Sequence, residues 1–223
     1  MIIAILPARK NSKRIKGKNI KNFFNKPLIT WTIKKILDLR LFSDIYVSTD
    51  SRKIAEIALK SGAKILFPRP KKLSNDKAKI IDVMSYEIKK LIKKKEKFNS
   101  VFCIFPTGIF AQKKHYYQAV KRLNKSTDYI FTAIKNEKVN IKNFYFKNDK
   151  LSLLNPQFVN TMTQQIPQTY KDAGQFYFAL KKTWLTKKNI FSKNSKVILI
   201  DKKKTVDIDN LNDFKQAKKI FKI

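Results

Sequence analysis

The chain opens Ile2-Ile3-Ala4-Ile5-Leu6-Pro7-Ala8-Arg9-Lys10-Asn11-Ser12-Lys13-Arg14, and Lys16-Gly17-Lys18-Asn19 follows closely. Ile2–Leu6 is apolar without alternation, as a strand buried on both faces of a parallel sheet reads. Arg9 to Asn22 is polar, basic and without periodicity, which predicts a long loop at that strand's carboxyl end. Outward from this unit, strand and helix alternate. Pro27 opens a helix to about Leu39, burying Leu28, Trp31, Ile36 and Leu39. Ile45–Thr49 reads as a strand, followed by a helix to Lys60 that Gly62 stops. Lys64–Phe67 is a third strand. Lys77–Phe98 reads as a long helix with Ile80, Ile81, Met84, Ile88, Leu91 and Ile92 as its apolar stripe. Val101–Phe105, Lys113–Leu123 and Tyr129–Ile134 continue as strand, helix and strand. Phe176–Leu180 and Val197–Ile200 are late strands, and Leu211–Phe221 is a closing helix. This rhythm predicts an α/β protein with a doubly wound, mostly parallel sheet. Residues 1–223 read as a single domain, with Asn140–Tyr170 as a protruding, β-rich arm.

The composition is lopsided. Fifty Lys and Arg face 16 Asp and Glu, for a net charge of +34 over 223 residues. Such an excess invites a polyanionic partner. Only six of the fifty are Arg (9, 14, 40, 52, 69 and 122), whereas nucleic-acid readers draw on the bidentate arginine fork. The lysines lie on the polar side of almost every helix and in most loops, so no nucleic-acid partner is expected. A hydrophobic content of 43% excludes a basic disordered tail. One Cys leaves no room for an intramolecular disulfide or a cysteine metal site, and one His argues against a histidine-based triad or zinc site. No apolar run approaches membrane-spanning length, and Ile2–Leu6 is too short for a signal peptide. A soluble, cytoplasmic protein is expected.

In open α/β sheets ligands bind beyond the carboxyl ends of the strands, which places the loop after Leu6 at the centre of interest. Its cations and backbone N–H groups suit a phosphate chain, though it is no Walker loop and could be a solvated basic loop. Val206-Asp207-Ile208-Asp209 is the second constellation. If extended, it turns both carboxylates to one side, as a hard cation such as Mg²⁺ requires; strand-end and capping roles are the alternative. In Lys171-Asp172-Ala173-Gly174-Gln175-Phe176-Tyr177 the glycine allows close approach to the backbone or simply makes a turn. Asn160–Gln165 offers neutral hydrogen-bonding groups suited to a sugar. Asp76 is placed to cap the long helix, His115 to sit on the surface, Cys103 in the core, and Trp31 and Trp184 in packing.

The stretch Ile5–Ile15 with Lys18-Asn19 resembles the signature of the CMP-sugar-acid synthetases, the cytidylyltransferases that activate sialic and related nonulosonic acids. Lys26-Pro27-Leu28-Ile29, Val47-Ser48-Thr49-Asp50, Arg69-Pro70 through Leu73-Ser74-Asn75-Asp76, and Val206–Asp209 extend the likeness along nearly the whole chain. Tyr170–Tyr177 is most similar to the pseudaminic acid branch. Phe105-Pro106-Thr107-Gly108-Ile109-Phe110 also suits that branch better than the sialate one. The resemblance implies a three-layer α/β/α sandwich of the nucleotide-diphospho-sugar transferase type, a homodimer, and 140–170 as a dimerisation and substrate arm. It implies CTP and a nonulosonic acid as substrates, with sialate, legionaminate and KDO as alternatives to pseudaminic acid. A catalytically impaired member acting as a nucleic-acid-binding or scaffold protein is a more remote alternative. By residue, it implies triphosphate contacts from Arg9, Lys13 and Lys18, and nucleotide contacts also from Ala8, Asn11, Ser12, Asn19 and Asp76. Thr161, Gln164, Lys171, Gln175 and Tyr177 would meet the sugar, and Asp207 and Asp209 would hold Mg²⁺. Three positions depart from the family: Lys10 is unusual, Met162 stands where an Arg is frequent, and Lys171 replaces the branch's usual His.

Overall fold

A computed structural model of the protein describes residues 1–136 and 142–221. Strand β1 (Ile2–Pro7) lies inside a seven-stranded sheet ordered β11-β7-β10-β6-β1-β4-β5. Its neighbours β4 (Asp44–Ser48) and β6 (Ser100–Ile104) both run parallel to it, as its unbroken apolar sequence demands. The outer pairs, β5 (Lys64–Leu66) on β4 and β11 (Lys196–Leu199) on β7 (Ile130–Lys135), are parallel too. Only β10 (Tyr170–Leu180) is antiparallel, to β6 and β7 alike.

The side chains of β1 alternate between two cores. Ala4 and Leu6 join Ile29 and Ile33 of α1 (Leu28–Leu37), Ile54 of α2 (Arg52–Lys60) and Tyr116 of α4 (Lys113–Arg122). Ile3 and Ile5 join Met84, Ile88 and Leu91 of α3 (Ile80–Lys93) and Trp184 of α5 (Lys181–Leu185). Helices therefore cover both faces, giving the expected three-layer sandwich with a mixed, mostly parallel sheet. A third cluster lies around α6 (Leu211–Ile220), where Phe214 and Ala217 pack with Ile15, Ile109 and Ile208. This cluster joins the loop after β1 to the stretch before α6. Short ribbon β2 (Asn22–Phe23) and β3 (Lys26–Pro27) closes that loop. Among the described residues no helix is long and apolar enough to cross a membrane.

Three local readings are corrected. The long helix spans Ile80–Lys93, not Lys77–Phe98. The Asn75 carboxamide accepts from the Lys77 N–H at 2.9 Å and holds a turn ahead of it, and Lys95 at φ 58° ends it. The late strand begins at Tyr170 instead of Phe176, because Lys171 and Asp172 pair with Ile134 and Ala133 of β7 despite their polarity. His115, expected on the surface, is buried. Its Nδ1 accepts from the Gln112 N–H at 3.0 Å, closing a capping box at the start of α4. Cys103, Trp31 and Trp184 are packing residues, and the Trp184 indole donates to the Val101 carbonyl.

Burial, reinforced by Lys114 and Lys35, holds the His115 imidazole neutral with its pKa down at about 4. As pH falls below the ordinary value near 6.5 the unfolded chain takes up this proton first. Stability is therefore full above that pH and is lost on descent towards 4, by up to about 3 kcal/mol from this group. Urea unfolding of the wild type and H115Q at pH 7 and pH 4.5 checks this. The wild type is expected to lose more stability than the variant, and equal losses would refute it.

The arm carries a hairpin of β8 (Phe144–Lys147) and β9 (Lys150–Leu153). Its two-residue turn, Asn148-Asp149, has both residues at positive φ, the arrangement that matches strand twist. Asn140 and Ile141, which the arm was expected to include, lie outside the described residues.

Candidate active site

The loop after β1 forms one wall of a cleft of about 570 Å³ at the carboxyl end of the sheet. Backbone bonds fix the loop at its ends: the Ala8 N–H donates to the Ser48 carbonyl at 2.8 Å, and the Lys10 N–H to Asp50 Oδ1 at 2.7 Å. Asn19, itself buried, donates its amide to the Arg9 carbonyl at 3.0 Å and ties the loop's far end back to its start. The cleft is lined by Arg9, Ser12, Lys13, Arg14, Lys18 and Asn19 from this loop. Arg69, Leu73, Asn75 and Asp76 line the side opposite, and Phe105, Pro106 and Thr107 follow β6. Five cations thus face one carboxylate. Such an excess in a partly desolvated cleft favours a polyanion.

The lone carboxylate is already engaged. Arg9 Nη1 lies 2.6 Å from Asp76 Oδ1, and Lys13 Nζ 2.8 Å from Oδ2. Hydrogen bonds from Lys13 and Arg9 hold the Asp76 carboxyl below its ordinary pKa. Asp76 therefore does not cap α3, whose N-cap position is Lys79.

The stretch Val206–Asp209, which belongs to no strand or helix, runs beside the loop. Ile208 is buried in the third cluster, which turns Asp207 and Asp209 away from it. The capping role falls to Asn210 and not to Asp209. Asn210 Oδ1 accepts from the Asp213 N–H, while Asp213 Oδ2 accepts from the Asp209 and Asn210 N–H groups, each at 2.9 Å. The 207 and 209 carboxylates are left for other work. Lys18 joins the two halves of the site: its ammonium donates to the Ile208 carbonyl at 2.6 Å and lies 4.0 Å from Asp209 Oδ1. Arg14 Nη1 reaches Asp209 Oδ2 at 2.7 Å. Burial lowers the Lys18 pKa, against the pull of Asp209 and Asp207. Burial raises that of Asp207, and the Asp209 charge adds to it.

Two close hard-oxygen groups whose mutual repulsion is only partly relieved fit a divalent cation. Among the described residues no three His, Cys, Asp or Glu side chains gather to hold an ion unaided, so oxygens of a bound substrate would complete the shell.

Several expected residues lie elsewhere. Ala8 is buried beneath the loop, and Asn11 is exposed at its crest; neither lines the cleft. Thr161 and Gln164 sit on the arm and do not line it. Gln175 was expected to face the sugar but is only 1% exposed. Its Oε1 accepts from the Phe110 N–H at 2.9 Å, and its Nε2 donates to the Ala173 carbonyl at 2.8 Å. It is a clip between β10 and the turn after β6. In that turn a Cβ on Gly108 would lie 2.7 Å from the Gln175 carbonyl oxygen, so only glycine fits. Tyr177 is also buried, its hydroxyl held by Asp172, while Lys171 is exposed and near enough to Asp207 to act on its charge.

Arg69 was given no role from sequence. Its guanidinium is nearly inaccessible yet lines the cleft, with Nε donating to Ser74 Oγ at 3.1 Å. Desolvation lowers its pKa, with Asp50 and Glu87 opposing. Its rarity, one of six arginines, was the available signal.

The strand order, the helical layers and the cation-rich loop closing on a carboxylate pair define a nucleotidyltransferase-type α/β protein. The fold matches that of CMP:2-keto-3-deoxy-manno-octonic acid synthetase complexed with CTP. The TM-score is 0.73 at 12% identity, covering 98% of this chain and 97% of that one. A family model described as "Cytidylyltransferase" matches residues 3–223. The chain is 33% identical to the pseudaminic acid cytidylyltransferase of Campylobacter jejuni serotype O:2, over 99% of this chain and 96% of the relative. It is 30% identical to the N-acylneuraminate cytidylyltransferase of Escherichia coli O18:K1:H7, over 97% of this chain and 51% of that one. The chain belongs to the cytidylyltransferase family.

Proposed function

We propose that this protein transfers CMP from CTP to a nonulosonic acid, pseudaminic acid in the first place, releasing pyrophosphate. The observation that carries this reading is the five-cation cleft joined through Lys18 to the Asp207–Asp209 pair. The full-length likeness to a pseudaminic acid cytidylyltransferase supports the choice of acid. Arg9, Lys13 and Lys18 bind the triphosphate and stabilise the charge that grows on the leaving pyrophosphate. The anomeric hydroxyl oxygen of the acid forms the new bond to the α-phosphorus. The bond from that phosphorus to the bridging oxygen breaks, and the hydroxyl proton passes to solvent. Mg²⁺ held by Asp207 and Asp209 would polarise the α-phosphate and lower the hydroxyl's pKa. The reaction belongs in the cytoplasm, where CTP is made. Incubating the protein with CTP, Mg²⁺ and pseudaminic, sialic, legionaminic and KDO acids in parallel, and measuring pyrophosphate release, tests the reading. Release greatest with pseudaminic acid is expected, and none with any acid would overturn it.

In this reading Asp76 competes with the triphosphate for Arg9 and Lys13. Removing its charge in D76N is expected to lower KM for CTP by roughly two- to fivefold, the scale of exposed ion pairs. An unchanged or raised KM in steady-state kinetics would refute the competition.

The arm supports a homodimer. Phe144, Phe146, Leu151, Leu154 and Met162 are exposed on it, Phe146 and Met162 at 69% each, and Phe144, Phe146 and Leu151 share the hairpin; exposed apolar groups on one element favour burial against a partner. The wild type is expected to run as a dimer in light scattering and F144S/F146S as a monomer. A monomeric wild type would refute this.

A further inference from the structure

Strand β10 is interrupted just where it passes Asp207. Its pairing with β7 advances five residues, from Asp172 to Tyr177, while β7 advances two, from Ala133 to Phe131. Residues 173–176 thus stand against Thr132 alone, a bulge larger than the usual single extra residue, and bulges re-aim backbone beside functional sites. At its apex Gly174 adopts φ +60°, and a Cβ there would lie 3.1 Å from Asp207 Oδ1 and 3.4 Å from its Cγ. The bare Cα of Gly174 is thus the surface on which the Asp207 carboxylate rests.

The two oxygens of Asp172 span this bulge. Oδ1 accepts from the Gly174 N–H at 2.9 Å, and Oδ2 from the Tyr177 hydroxyl. Gln175 clips the same segment on its other side, through Phe110, Ala173 and Thr132. The Asp172 charge acts unfavourably on Asp207, which already faces Asp209, with Lys18 and Lys171 opposing. In a chain with 16 acidic residues, placing a third one here calls for a return. The bonds to Gly174 and Tyr177 supply it by holding the bulge in one shape.

We infer that Asp172 is a positioning residue of the reaction centre: through the Gly174 N–H and the Tyr177 hydroxyl it fixes the bulge that seats Asp207. The inference rests on the proposed role of Asp207. Outer partners of this kind change metal affinity by roughly 10–100-fold when removed, and a small misplacement of reacting groups can cost about 10²-fold in rate.

The test uses the full chain as wild type, D172A and D172N. An asparagine can still accept from Gly174 and can donate to the Tyr177 oxygen. Three quantities are read: kcat and KM for CTP from pyrophosphate release, and the affinity for Mn²⁺ alone from the EPR signal of the free ion. D172A is expected to lower kcat at least about tenfold and to weaken Mn²⁺ binding by about tenfold. Its KM for CTP is expected to stay within about twofold of the wild type, and D172N to recover most of both losses. Wild-type kcat and Mn²⁺ affinity in D172A would overturn the inference. So would D172N as impaired as D172A, or a D172A defect confined to thermal stability. If the wild type released no pyrophosphate with any acid, the Mn²⁺ measurement would still decide the positioning role.

Discussion

D207A is expected to lose turnover by about 10²–10³-fold, the effect of removing several kcal/mol of charge stabilisation from a phosphoryl-transfer centre. The fold is expected to survive. Burial and Asp209 raise the Asp207 pKa, so ionised Asp207 is a net cost to the folded chain at neutral pH. That cost is relieved as pH falls through the folded pKa, and alanine removes it at every pH. The thermal midpoint of D207A at pH 7 should therefore equal or exceed that of the wild type. Stopped assays of pyrophosphate release and a melting curve on one preparation check both halves. Near-normal turnover would remove Asp207 from the chemistry, and a large fall in the midpoint would make it structural.

K18A is expected to lower kcat/KM for CTP by about 10²–10³-fold, because one ammonium serves two sites. It lines the cation-rich cleft, and it donates to the Ile208 carbonyl between the two aspartates. Its loss leaves Asp207 and Asp209 with less compensation and frees the stretch that carries them. K18R should rescue poorly. A planar guanidinium needs the room of a fork, and the Lys18 ammonium is a half-buried point charge set 2.6 Å from a carbonyl oxygen. Steady-state kinetics together with calorimetric CTP binding check this. Full rescue by K18R would show that charge alone matters, and unchanged CTP binding in K18A would remove Lys18 from the nucleotide site.

Much of this site was legible in the residues. Ile2–Leu6 could only be an interior strand, so the basic loop behind it had to open at the sheet's carboxyl end. Asp207 and Asp209 stood out because acidic residues are scarce, and in an extended stretch the apolar Ile208 between them turns to the opposite side. Other residues were misread for one recurring reason. Gln175, Tyr177 and His115 are polar and sit in polar-looking segments, yet each is buried against a partner that local pattern does not reveal.

The sequence by itself determined which strand is central, which helix faces are buried apart from Ile92, which is exposed, and which loop carries the cations. These follow from periodicity, and periodicity is a local property of the chain. The tertiary structure alone decided that Asp76 pairs with Arg9 and Lys13, that Arg69 lines the cleft, and that Asp172 braces the bulge under Asp207. A side chain's hydrogen-bond or ion-pair partner is whichever group the packing of distant segments brings within about 3 Å, and no spacing along the chain encodes that distance.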